Sequence, residues 1–261
     1  MSQHIELGVR IARKAGEIMR EHFRKDVHID WKSEDHTPVT VVDTSVNELL
    51  LKEIPLVLPD YAIYAEEKSL AKESRFAAVC DPLDGTFPFT HGIPTFAFSL
   101  AFTEDGDPFA CIIYDPILDR MYTAEKGKGA YVNGARISVK EWPLKNPEER
   151  LSVAISWDYG QRDLSQVHAS LQKYPAACFN LLSAVYMGML VASGEIGGCI
   201  VPVKYPWDCA AIKLLVEEAG GKVTDLFGSE QRYDRTVDGF VAAHPSLHQI
   251  LVGMIQKNVM K

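Results

Sequence analysis

The stretch Asp81-Pro82-Leu83-Asp84-Gly85-Thr86 closes the apolar run 76–80, and its reading decides the fold. A run of that length reads as a buried strand. Carboxylates at its end are costly unless they are paired or bind a cation. Gly85-Thr86 then reads as the opening of a short helical turn, with Pro88 tolerated in its first turn. Free backbone N–H groups at such a turn form an anion site. Metal ligands beside an anion cradle are the parts that phosphoryl transfer needs.

Outward from this stretch, three more acidic points stand at the ends of apolar segments: Asp43 after residues 37–42, Glu66-Glu67 after the run 61–65, and Asp208 after Trp207. Hard cations such as magnesium take oxygen ligands and keep some water, so carboxylates converging at one sheet edge suit them. Each point has a plainer reading when taken alone. Asp208 suits a helix N-cap. Asp81-Pro82 and Asp84-Gly85 suit turns. Glu66-Glu67 suits a solvated strand end. What shifts the balance to a metal site is their joint occurrence at the spacing of a known family that the chain resembles. The eight histidines contain no His-Glu-x-x-His, which argues against zinc hydrolase chemistry. His91 is expected to be structural and Cys80 a small buried residue. Gly127-x-Gly129 lacks the strand–loop–helix setting of a dinucleotide site.

The apolar positions Ile5, Val9, Ala12, Ala15, Met19 and Phe23 have helical spacing and predict a first helix. A second helix is predicted over 44–54, its continuation stopped by Pro55. Residues 95–139 read as an antiparallel meander with turns at 104–108, at Asp115-Pro116 and at Asn133-Gly134. Strands are then expected at 151–156, 196–201 and 239–242, and helices at 163–173, 183–193, 207–219 and from Pro245. The class is α+β, and the Pro143–Pro147 region divides an N-terminal half, 1–145, from a C-terminal half, 146–261.

Bulk properties bound the function. The chain has 261 residues, is 47% hydrophobic and carries a formal net charge of −8. That charge argues against a nucleic-acid polymer or an anionic membrane as partner, though a local metal site can reverse the local sign for a phosphorylated ligand. Five cysteines without a Cys-x-x-Cys pair argue against a disulfide framework and fit a reducing cytoplasm. The N-terminal segment lacks the apolar core of a signal peptide. No apolar run is long enough to span a bilayer.

Asp81-Pro82-Leu83-Asp84-Gly85-Thr86 with Phe89, His91-Gly92 and Pro94 resembles the first signature of the inositol monophosphatase family. Trp207-Asp208-x-Ala210-Ala211, leading to Glu218-Ala219-Gly220-Gly221, resembles the second. Ala65-Glu66-Glu67 and Lys126-Gly127-x-Gly129-Ala130 resemble further family elements, in order along nearly the whole chain. Two departures, Pro88 in place of Asn and Ala65 in place of Gly, fall on positions that supply no metal ligand in the family.

The resemblance implies a layered α/β/α/β/α sandwich and a magnesium-dependent phosphomonoesterase acting on a small phosphorylated metabolite, possible as a homodimer. It implies two or three Mg2+ ions. Glu66, Asp81 and the carbonyl of Leu83 would hold one, and Asp81, Asp84 and Asp208 a second; a weaker third would involve Glu66. Lithium sensitivity is expected, with lithium taking a weak magnesium position. Thr86 with Asp43 would orient an attacking water, with Glu66 also among the catalytic residues. Asp84, Gly85, Thr86, Ser183 and Asp208 would contact phosphate or substrate. The four carboxylates Glu66, Asp81, Asp84 and Asp208 carry about four negative charges at neutral pH, so metal is expected to be obligatory for binding a phosphate dianion. The expected reaction is direct in-line attack by a metal-activated water.

Rival readings are a fructose-1,6-bisphosphatase, a nucleotide 3'-phosphatase or a histidinol-phosphate phosphatase of the same superfamily, and a non-catalytic binding protein on the same fold. The last would be expected to have lost a ligand carboxylate, and none is lost. A two-metal nuclease would need a basic stripe that the chain does not show. Family members that favour inositol phosphates carry a Glu seven residues before the second-signature Asp; Val201 stands there, and Lys204 follows. Residues 179–182 also replace a polar, glycine-containing stretch. Inositol monophosphate is therefore expected to be a non-preferred substrate.

Overall fold

The computed structural model describes residues 2–32, 37–142, 151–156 and 162–259. The first helix, α1 (Gln3–His22), places Ile11, Ala12, Ala15 and Met19 fully inside. Gly8 and Gly16 let it lie directly on the sheet, because a Cβ there would collide with Ile112 and Tyr114. A two-stranded hairpin, β1 (Ile29–Trp31) and β2 (Pro38–Thr40), leads into α2 (Val41–Val57). This helix starts and ends three residues beyond the predicted bounds. Thr40 and Asp43 form a capping box that starts it at Val41 despite two β-branched residues. Pro55 lies in its last turn, where few backbone bonds remain to be lost.

β3 (Ala62–Ala65) runs parallel to β4 (Phe76–Asp84), and the short α3 (Thr86–Thr90) follows. Next comes the predicted meander: β5 (Ala97–Glu104), β6 (Asp107–Asp115), β7 (Arg120–Glu125), β8 (Gly129–Val132) and β9 (Ala135–Arg136). Together β3 to β9 make a seven-stranded sheet in chain order, antiparallel from β4 onward. Asn133-Gly134 turns with positive φ at both residues, as a tight hairpin requires.

The remaining elements are β10 (Leu151–Ile155), α4 (Ser165–Leu171), β11 (Ala176–Phe179), α5 (Ala184–Ala192), β12 (Gly198–Val201), α6 (Ala210–Glu218), β13 (Lys222–Thr224), β14 (Phe240–Ala243) and α7 (Pro245–Asn258). Their sheet has the order β11-β10-β12-β14-β13. The short strands of the β1–β2 hairpin, β11 and β13 were not predicted; each has only three or four residues and little alternation. The expected boundary at 143–147 lies outside the described residues.

Alternation along the strands builds the layers. In β6, Ile112 and Tyr114 face α1 and α2, while Cys111 and Ile113 face α5 and α6. In β14, Phe240 and Ala242 face α5 and α6, while Val241 and Ala243 face α4 and α7. α5 is buried along its whole length, because sheets cover it on two sides. The result is α1/α2, seven-stranded sheet, α5/α6, five-stranded sheet, α4/α7: the expected five-layer α+β sandwich. Among the described residues no helix is long and apolar enough to cross a membrane.

Candidate active site

The site forms where β4 ends. Asp81 pairs with Ser99 across the β4–β5 ladder, and the next pair is Asp84 with Ala97. Pro82 and Leu83 thus oppose the single residue Phe98. Pro82 has no N–H to give the ladder, and the strand bulges there. The bulge turns both carboxylates toward the same end of the sheet. Leu83 N–H holds Asp81 Oδ1 at 2.9 Å. Asp84 Oδ1 accepts from the Ser183 hydroxyl and from Val185 N–H at 3.2 Å, so it sits on the N-terminus of α5.

Asp208 comes from the central layer, just ahead of α6. It ends a 3-10 turn, Pro206–Asp208, and the N-cap of α6 is Cys209, which makes no side-chain capping bond. The plain N-cap reading of Asp208 is therefore not what the fold uses. Asp81, Asp84 and Asp208 each bring one carboxylate oxygen to within 4.8 Å of the others. Burial, then the neighbouring carboxylates, push Asp81 and Asp208 well above the usual carboxylate range. Burial also pushes Asp84 up to about 7, against the opposing pull of Ser183. Three mutually repelling carboxylates, Asp81 and Asp84 buried and Asp208 half-buried, are the donor set that a hard divalent cation neutralises, and the residues fit magnesium.

Asp43 is not at a strand end, as its place after an apolar run suggested, but at the third position of α2. Its Oδ2 accepts from Thr40 N at 2.7 Å and from Thr40 Oγ1 at 2.6 Å. Its Oδ1 accepts from Thr86 Oγ1 at 2.9 Å, and the same hydroxyl lies 3.1 Å from the Leu83 carbonyl. Burial raises Asp43 to about 7, while the Thr40 bonds oppose the rise. Gly85 precedes α3 with φ 90°, and a Cβ there would stand 2.7 Å from the Thr95 carbonyl, so only glycine fits.

Glu66 follows β3 but stands outside the three-carboxylate set. Its Oε1 lies 2.7 Å from Lys32 Nζ, which also meets Glu67 Oε1 at 2.6 Å. The two carboxylates raise the Lys32 ammonium further above its ordinary range, against burial. Sequence reading missed Lys32, since nothing local to it signals a contact 34 residues away. Val201 packs inside the central core, and Lys204 is exposed with its ammonium 5.6 Å from the Tyr205 ring centre. His91 lies stacked on Phe87, ring centres 4.2 Å apart, and bonds the Phe87 carbonyl. Cys80 is fully buried, which raises its thiol. Cys80, Cys111, Cys199 and Cys209 are in no disulfide.

A five-layer sandwich with acidic residues gathered at the bulged end of β4, the strand next to the edge, is the arrangement of a class of metal-dependent phosphomonoesterases. The description "Inositol monophosphatase family" matches residues 1–260, and the chain belongs to that family. It is a phosphoric monoester hydrolase of a family that is in general magnesium-dependent and typically lithium-sensitive. It is 29% identical to a fructose-1,6-bisphosphatase/inositol-1-monophosphatase of Thermotoga maritima, over 98% of this chain and 96% of that one. It is 30% identical to a histidinol-phosphatase of Chlorobaculum parvum, over 98% and 97% of the two chains. The crystal structure of extragenic suppressor protein suhB from Bartonella henselae superposes with a TM-score of 0.88 at 27% identity, covering 98% of this chain and all of that one.

Proposed function

We propose that this enzyme hydrolyses the phosphate monoester of a small metabolite other than inositol, with two or three magnesium ions held by Glu66, Asp81, the Leu83 carbonyl, Asp84 and Asp208. The observation that carries the reading is the convergence of Asp81, Asp84 and Asp208. Bound magnesium supplies charge for the phosphate oxygens and lowers the pKa of water.

The chain's own groups do the rest. Thr86 Oγ1 donates its hydrogen bond to Asp43, which leaves its lone pairs to accept a hydrogen bond from the attacking water and so to orient it. Asp43 is itself fixed by the two bonds from Thr40, so the Thr86 hydroxyl is held in one orientation. The backbone at Gly85 and Thr86 opens α3 toward phosphate. Ser183 and the start of α5 hold Asp84 in place. Lys32, paired with Glu66, must give way or share that carboxylate when a cation binds there.

The named activities of the relatives include fructose-1,6-bisphosphate, inositol-1-phosphate and histidinol phosphate hydrolysis. Val201 offers no hydroxyl acceptor, which supports a leaving group other than inositol. The test is phosphate release from those three compounds, sugar and polyol phosphates and nucleotide 3'-phosphates, with magnesium and with chelator. Loss of all release with chelator, return with magnesium, and a kcat/KM for inositol monophosphate below that of another substrate are expected. A preference for inositol monophosphate of about a hundredfold, or about 2.7 kcal/mol, overturns the substrate reading.

A further inference from the structure

Ser99 faces the same side of the sheet as Asp81, its direct partner across the β4–β5 ladder. Its other neighbours on that face, Val79, Ala97, Ala101 and its β6 partner Ile113, are apolar members of the central core. Ser99 is 1% exposed, and its hydroxyl has no hydrogen-bond partner. A buried hydroxyl left unpaired is destabilising, and an alanine, as at 97 and 101, would fill the place without that cost. Asp81 is the polar group opposite it. One oxygen of Asp81 is engaged by Leu83 N–H, and the carboxylate still has lone pairs to share between a cation and a further donor.

We propose that Ser99 is a positioning residue for Asp81, its hydroxyl donating to that carboxylate, directly or through one buried water, when a cation is bound. The inference rests on the reading of Asp81 as a metal ligand. A donor behind a ligating carboxylate fixes its rotation, and removing such a partner weakens metal binding about 10- to 100-fold. Ser99 does not touch substrate, so its effect falls on magnesium affinity and not on the chemical step.

The test is calorimetric titration of the metal-free full-length protein with magnesium alone, for wild type, Ser99→Ala and Ser99→Cys. Cysteine keeps the volume and is a weak donor, so it serves if the alanine variant does not fold. Both variants are expected to bind magnesium about 10- to 100-fold more weakly. In assays their half-saturating magnesium should rise while kcat at saturating magnesium stays within about threefold and substrate KM is unchanged. Wild-type magnesium affinity in either folded variant overturns the inference and leaves the metal reading intact. No magnesium binding by wild type removes both. A metal-free Ser99→Ala protein less stable than wild type also overturns it, since the hydroxyl would then have a structural partner.

Discussion

Thr86 Oγ1 donates to Asp43 Oδ1 at 2.9 Å, joining the start of α3 to the first turn of α2 across 43 residues. The pair links the candidate phosphate turn to a buried carboxylate. Thr86→Val keeps the shape and removes the hydroxyl. It should lower kcat by about 10²–10⁴-fold with little change in KM, while Thr86→Ser keeps most activity. Steady-state kinetics at saturating magnesium check this; near-normal kcat in the valine variant would make the bond purely structural.

Asp84 illustrates a site that works against stability. In the metal-free protein Asp43 and Asp84 are raised from 3.8 to about 7. The folded state then binds more protons than the unfolded state between about pH 4 and 7. Their contribution is fully present below about pH 4 and is lost as pH rises through about 7. Metal-free protein should melt lower at pH 7.5 than at pH 5.5, and magnesium should reverse much of the loss. Asp84→Asn should flatten this slope and raise the metal-free Tm at pH 7.5 by about 2–4 °C for each kcal/mol of charge-burial cost relieved. The same variant should lose several orders of magnitude in kcat. Thermal melts across pH and matched-magnesium assays decide both halves, and a normally active Asp84→Asn enzyme would sink the metal assignment.

Lithium offers a separate probe of the Glu66 side. Glu66 shares its carboxylate with Lys32, so a cation there competes with an ammonium and should bind weakly. Lithium is expected to inhibit in the millimolar range or below, as befits a weak hard-cation position. Lys32→Gln should change the magnesium and lithium concentrations for half effect together. Dose–response curves at fixed substrate test this, and full activity in lithium far above that range would count against the weak position.

Glu218, the last residue of α6, accepts from Gly127 N at 2.6 Å and Gly129 N at 2.7 Å. The Gly-x-Gly motif is thus a clamp for a carboxylate that ties the β7–β8 turn to the central layer. Glu218→Ala should cost about 2 kcal/mol in urea unfolding and leave kcat within about threefold. A loss of activity at unchanged stability would place Glu218 in the catalytic machinery instead.

Much of the architecture was legible from local pattern. Alternation in the meander, the Asn133-Gly134 turn, the helical spacing of α1 and the breaking chemistry at Asp81-Pro82 and Gly85 each depend on residues near one another in the chain. Their resemblance to family signatures also picked out Asp43, Asp81, Asp84, Thr86, Ser183 and Asp208, which the structure brings to one end of β4. The start of α2 was misjudged because Val41 and Val42 suit a strand, and the Thr40–Asp43 capping box outweighs that preference.

Other features were decided only by tertiary structure. Lys32, just after β1, meets Glu66, just after β3, although 34 residues separate them, and Ser99 faces Asp81 because the β4–β5 register sets that pair. Val201 is a core side chain because β12 lies between two layers. Dihedral preference and hydrophobic period act over a few residues and can be read from sequence. Which distant groups become neighbours depends on sheet register and layer packing, where a slip of one residue turns every side chain to the opposite face.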